Sequence, residues 1–250
     1  MDKFLASLIF FTRMPWWRLR SVPKAAFEHV VDYWPIIGWL TGGVMAAVLW
    51  GATQLGCPLP VAALLAIGAR MLLTGALHED GLADFCDGFG GGTSRARTLD
   101  IMKDSHIGTY GTLGLVLYLA LLWTCMLTVA APAVLLFDVS AKCAASLITG
   151  QLPYAREAGG AKNGVVYVGR SWQGWLLHAM RCVLAMALPL ALCVYVGLGD
   201  IVYLLPLPFV VELLLMLWMR HRLGGYTGDC CGALFLLCEL SLYLAAQFFM

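Results

Sequence analysis

His78-Glu79-Asp80-Gly81-Leu82-Ala83-Asp84-Phe85-Cys86-Asp87-Gly88-Phe89-Gly90-Gly91-Gly92 places four carboxylates between Glu79 and Asp87, in a chain that is otherwise poor in charge. On a helix, Asp80, Asp84 and Asp87 fall at i, i+4 and i+7 and share one face. Like charges at that spacing repel unless a cation sits among them. Aspartates are hard oxygen ligands, and Mg²⁺ is typically held by one or two carboxylates together with water and substrate phosphate. The plain alternative is a solvated acidic cap. The glycine run at 90–92 favours the metal, because its backbone N–H groups can approach a phosphate; it is not a Walker A, since no Gly-Lys-Ser/Thr follows.

The composition around this stretch sets the class. Of 250 residues, 61% are hydrophobic and only 12% charged, with a mean hydropathy of +0.81. Soluble domains are nearer a quarter charged, so the chain reads as a polytopic membrane protein. A net charge of +1 argues against a nucleic-acid partner. The nine cysteines show no CxxC spacing and lie mostly in apolar runs, so neither a zinc site nor a disulfide framework is expected.

Working outward, residues 1–32 form an amphipathic opening whose Trp16-Trp17-Arg18 suits an interfacial or short re-entrant helix. Seven spans follow, near 33–54, 59–77, 107–129, 133–150, 176–198, 201–219 and 232–250. Gly38, Gly42 and Gly43 suit close helix packing in the first. The acidic stretch falls in a polar loop, 78–106, that ends in Lys103-Asp104-Ser105-His106. Two more polar loops, 153–175 and 220–231, carry Tyr154-Ala155-Arg156-Glu157, Lys162-Asn163-Gly164 and Thr227-Gly228-Asp229. Lys and Arg occupy the N-terminus and these three loops, and are missing near 55–58, 130–132 and 199–200. The positive-inside rule then puts the N-terminus and all three polar loops in the cytoplasm and the C-terminus outside. The expected fold is all-α: one membrane domain, 1–250, of about seven transmembrane helices plus the short N-terminal helix.

Some ionisable residues fall inside spans, where charge is costly and turns toward the bundle interior. Asp138 and Lys142, at i and i+4, can satisfy each other. Arg70 lies about two turns below His78 and can pair with a carboxylate, whereas Glu212 has no evident partner. His78 abuts the acidic run; His29, His106, His178 and His221 read as interfacial. Arg95, Arg97 and Lys103 beside an acidic metal site suit a pyrophosphate substrate. Thr227 and Asp229 are explained equally well as helix caps.

Three motifs together carry a resemblance: His-Glu-Asp-Gly-Leu-Ala-Asp-x-x-Asp-Gly at 78–88, Met-Lys-Asp-Ser-x-Ile-Gly-x-Tyr-Gly at 102–111, and Gly-Gly-x-Thr-Gly-Asp-x-x-Gly-Ala at 224–233. With the Phe-x-Thr-Arg-x-Pro opening and the Tyr154-Ala155-Arg156 loop, they make nearly the whole chain resemble the cobalamin synthase family of adenosylcobinamide-GDP ribazoletransferases. The resemblance implies an inner-membrane, Mg²⁺-dependent transferase that joins adenosylcobinamide-GDP to α-ribazole or its 5′-phosphate and releases GMP. It is compatible with a homo-oligomer or with association with other late cobalamin-pathway enzymes. On this reading Asp80, Asp84, Asp87, Asp104 and Asp229 are metal ligands, and Asp84, Lys103 and Asp104 serve catalysis. Arg95, Arg156, Thr227 and Gly228 contact substrate. Glu79 stands where the family often has Leu, and residues 159–163 replace its usual Gly-Leu-Gly.

Two other classes compete. A CDP-alcohol phosphatidyltransferase would show Asp-Gly-x-x-Ala-Arg, but Asp80-Gly81-Leu82-Ala83 is followed by Asp84. A transporter or cation channel would carry its carboxylates within the spans rather than in one loop. The charge bias is directly testable: reporters fused after residues 92, 163 and 226 are expected to read cytoplasmic, and one at 250 periplasmic. A periplasmic signal at 92 would separate the acidic stretch from any nucleotide.

Overall fold

The computed structural model describes residues 1–156 and 167–249; Glu157, residues 159–163 and Gly164 lie outside them. The helices are α1 (Asp2–Phe11), α2 (Lys24–Phe27), α3 (Trp34–Gln54), α4 (Leu59–Thr74), α5 (Leu77–Gly91), α6 (Arg95–Ile101) and α7 (Thr109–Met126). They continue with α8 (Ala131–Ala145), α9 (Ile148–Gln151), α10 (Trp172–Tyr195), α11 (Leu207–Leu223) and α12 (Gly228–Ala246). Among the described residues there is no strand, and the protein is an all-α membrane bundle.

Six helical stretches are long and apolar enough to cross a membrane: Val30–Gln54, Thr109–Met126, Ala131–Gln151, Trp172–Tyr195, Gly199–Leu223 and Gly228–Ala246. The seventh is a broken pair, α4 and α5, bent by 90°. The break has a local cause. Gly75 (φ +67°) ends α4 in the left-handed region, and Ala76 follows it there at φ +54°, a conformation that costs a residue with a Cβ about 1 kcal/mol or more. The space beside Gly75 is filled by Arg13, which would collide with any Cβ placed there.

The acidic stretch is therefore helix rather than the expected loop. Its apolar residues explain why: His78, Leu82, Phe85 and Phe89 recur at helical spacing and are buried, and Glu79 and Asp80 in the first turn complement the helix dipole. That face packs against α12, with Gly81 and Gly232 at the crossing. A Cβ on Gly81 would lie 3.0 Å from the Asp229 carbonyl, and one on Gly232 would lie 3.1 Å from that of His78. Small residues thus let the two backbones touch.

At the centre, α8 and α12 are buried over 78% and 72% of their apolar windows, against 22–33% for the other four single spans. The outward stripes of α7, α10 and α11, such as Leu117, Leu184 and Leu214, are apolar and exposed, as a surface that meets lipid is. Gly42 meets Asp138 of α8 as closely as a glycine allows, whereas Gly43, also expected at an interface, faces open space. His178, expected at the interface, is instead buried between α10 and α8, its Nε2 2.8 Å from Ser146 Oγ.

The central helices enclose charge. Arg70 Nη1 lies 2.5 Å from Glu239 Oε1, 3.7 Å from Asp138 Oδ2, and Nη2 is 3.9 Å from Glu79 Oε1. Its Nη2 also donates to the Tyr118 hydroxyl at 2.8 Å. Asp138 pairs with Lys142 and accepts from Thr41 at 3.0 Å, and the Lys142 ammonium sits 3.8 Å over the Phe235 ring. Among the described residues, removing Arg70 leaves Glu79, Asp138 and Glu239 facing Lys142 alone, so Arg70→Met should cost about 3–5 kcal/mol. Thermal unfolding in detergent checks this, and an Arg70→Met/Glu239→Leu double variant, with one fewer uncompensated carboxylate, should unfold later than Arg70→Met.

Candidate active site

Residues from the starts of three long helices line one cavity. Trp34 is the first residue of α3, His78 and Asp80 lie in the first turn of α5, and Gly228, Asp229, Cys231 and Gly232 open α12. Phe10 and Phe11 of α1 and Tyr154, Arg156 and Tyr167 from the polar loop join the lining. Helix N-termini carry partial positive charge, so a cavity lined by the first turns of α5 and α12 favours anions. The α5–α12 contact brings Asp80 and Asp229 to the same cavity, although the two helices are far apart in the chain.

The structure sorts the residues singled out by sequence into different places. Thr227 is buried and caps α12, its Oγ1 accepting from Cys230 N at 3.3 Å, while Asp229 beside it faces the cavity. Asp84 sits half-buried one turn beyond Asp80 on α5. Asp87 instead anchors the start of α7, where its Oδ2 accepts from Gly108 N at 2.7 Å and its Oδ1 from Gly111 N at 2.8 Å. Glu79 turns inward to Arg70 and leaves the acidic face altogether.

Asp104 is exposed on the turn after α6 and bonds His106, whose donation holds its carboxyl below the usual carboxylate range. With Asp87, Arg97 and Asp100 it lines a separate shallow groove. The five expected ligands therefore do not form one cluster. Among the described residues, no three His, Cys, Asp or Glu side chains converge as a metal-holding group. The i, i+4, i+7 face exists on the helix, but the glycine-rich start of α7 claims its last member.

A basic groove adjoins the cavity. Arg95, Lys103 and Arg156 line it together, and Arg156 lines both. Arg95 Nη2 donates to the Ala155 carbonyl at 2.9 Å, tying α6 to the Tyr154-Ala155-Arg156 segment. Arg156 Nη2 is buried and has no hydrogen-bond partner among the described residues. On the other side of the segment, Ala155 N donates to Tyr226 O at 2.7 Å. Burial pushes the Tyr154 phenol up to about 12, so it stands in the cavity as a neutral hydroxyl. Sequence reading misses Phe10, Phe11, Trp34 and Tyr167 as site residues, because an aromatic near a membrane surface is equally well an anchor.

Hard carboxylate oxygens and a guanidinium around one cavity suit a phosphate-bearing ligand with a divalent cation, and Asp80 with Asp229 supplies the one or two carboxylates that Mg²⁺ commonly takes. The fold and this cavity define a polytopic membrane protein with a hollow of mixed polar and aromatic lining at one end of its bundle. The family model described as cobalamin-5-phosphate synthase (CobS) matches residues 3–247, and the chain belongs to that family.

Among its relatives are proteins named adenosylcobinamide-GDP ribazoletransferase. That of Shewanella amazonensis is 36% identical over 98% of this chain and 94% of its own. Those of Leptothrix cholodnii (38%; 96% and 93%) and Mesorhizobium japonicum (37%; 99% and 93%) are similar. No solved structure matches the chain.

The division between site and scaffold is measurable. Asp87→Ala removes an acceptor of two backbone N–H groups and should lower stability by about 1–3 kcal/mol. Asp80→Asn and Asp229→Asn should lower activity far more than they lower the melting temperature. Thermal unfolding and turnover of the same purified variants give both readings.

Proposed function

We infer that this protein is an adenosylcobinamide-GDP ribazoletransferase. It joins adenosylcobinamide-GDP to α-ribazole or α-ribazole 5′-phosphate, giving adenosylcobalamin or its 5′-phosphate and GMP. The observation that carries this reading is the meeting of Asp80, Asp229 and Arg156 at one cavity, in a chain that matches the family over nearly its full length.

The reaction is a displacement at phosphorus. The ribazole 3′-hydroxyl oxygen bonds to the phosphorus on the cobinamide side of the pyrophosphate, the bridging P–O bond breaks, and GMP leaves with that electron pair. The protein's part is positioning and charge neutralisation rather than covalent chemistry. Arg156 spans the cavity and the groove and holds the pyrophosphate across that junction, with Lys103 and Arg95 taking charge on the leaving-group side. The N-termini of α5 and α12 add fixed dipoles at the same cavity.

Asp80 and Asp229 would hold the Mg²⁺, with Asp84 one turn away on α5 as a further carboxylate. Bound there, the ion supplies Lewis-acid stabilisation of the phosphoryl oxygens. A carboxylate of this set takes the hydroxyl proton. The orientation follows from the lysine and arginine bias: the cavity opens to the cytoplasm, from the inner membrane, where nucleotides are available.

Purified protein given both substrates should release GMP, stop on chelation, and recover on adding Mg²⁺. Asp80→Ala, Asp84→Ala and Asp229→Ala should each lower turnover by about 100-fold or more, the scale of one lost electrostatic contact at a reacting centre. Failure to release GMP would overturn the reading. Turnover that persists in excess chelator would remove the metal from it.

A further inference from the structure

The cavity that contains Asp80 and Asp229 carries more aromatic surface than phosphate chemistry requires. One side is a near-parallel set of rings: Phe11 and Trp34 have centroids 5.1 Å apart at 4°, and Trp34 and His78 5.6 Å at 21°. All three are at most 3% exposed, so this stack is the packed back wall of the cavity. The other aromatic members, Phe10, Tyr154 and Tyr167, are half-buried. Phe10 meets Tyr167 edge-on at 6.3 Å, and Tyr226 braces both tyrosines, at 6.4 Å to Tyr167 and 5.4 Å to Tyr154. Within this lining, His78 Nε2 is buried and has no hydrogen-bond partner among the described residues.

We propose that these rings form the binding slot for the heteroaromatic base of the ribazole acceptor, with His78 Nε2 as its polar partner. The proposal rests on the transferase reading above and assigns its two substrates to opposite sides of Arg156. Flat heteroaromatic bases gain from stacking on aromatic side chains irrespective of sequence or sugar. Two bases compete for such a slot, the benzimidazole of ribazole and the guanine of the leaving nucleotide. Guanine has an edge crowded with donors and acceptors and arrives with two phosphates. The groove offers Arg95 and Lys103 to that charge beside the shared Arg156, whereas the aromatic cavity, among the described residues, has Arg156 alone against Asp80 and Asp229. Benzimidazole is nearly apolar and asks for few polar partners. Its sugar hydroxyl is then delivered beside Asp80 and Asp229, where the displacement takes place.

The test uses the purified full-length wild-type protein, with free benzimidazole as the probe. Inhibition should be competitive against α-ribazole and not against adenosylcobinamide-GDP. In parallel, Phe10→Ala and Tyr167→Leu, both at half-buried positions, should raise KM for α-ribazole about tenfold, the scale of one lost stack. KM for adenosylcobinamide-GDP should stay within about twofold. Competition against adenosylcobinamide-GDP, or a rise in its KM instead, assigns the slot to guanine and overturns the proposal. Wild-type protein that forms GMP but shows neither effect refutes the slot and leaves the reaction standing. Wild-type protein that forms no GMP refutes both.

Discussion

One guanidinium, that of Arg70, reaches side chains of four other helices: Glu79 of α5, Tyr118 of α7, Asp138 of α8 and Glu239 of α12. In an apolar bundle, helices gain little from hydrophobic association alone, because lipid tails are as apolar as leucine. A buried cation with carboxylates on several neighbours supplies what packing does not, a unique register between elements. Lys142, with Asp138 and Thr41, extends the same network to α3. Each charge is tolerable only while its partners stay in place, so α4, α5, α8 and α12 are fixed relative to one another. The cavity lies at the ends of the helices so fixed.

The second constraint is steric. The α4–α5 break turns the chain by 90°, and the α5–α12 crossing at Gly81 and Gly232 brings the two backbones into contact. The result is that Asp80 and Asp229 each stand in the first turn of a helix and share one solvent-accessible hollow. Helix dipoles stabilise both carboxylates there while also favouring a phosphate. The same geometry gives α1 a purpose beyond the membrane surface, since Phe11 stacks on Trp34 in the cavity wall.

Much of this is legible from residues. The all-α class and the number of spans follow from composition and run length. The Asp138–Lys142 pairing and an intramembrane partner for Arg70 follow from the cost of charge in lipid. The acidic face of 80–87 has helical spacing in sequence and in structure. Its four carboxylates nevertheless suggest a loop, because they outweigh a buried stripe of His78, Leu82, Phe85 and Phe89 that only packing makes visible. The equivalence of the aspartates is the larger departure. Asp87 caps α7, Glu79 joins the buried network, and Asp104 serves the surface turn.

The sequence by itself determined what is local or additive: a membrane bundle, its hydrophobic periods, the charge bias of its loops, and the motifs that carry the family. The tertiary structure decided which carboxylates share a hollow and which are consumed as caps or counter-ions. It also decided that aromatic side chains of α1 and α3 line that hollow. The physical reason is that a carboxylate looks the same in sequence whether its partner is a metal, a backbone N–H or an arginine. Which partner it meets depends on helix crossings and on a bend at Gly75 and Ala76, set by contacts between residues far apart in the chain.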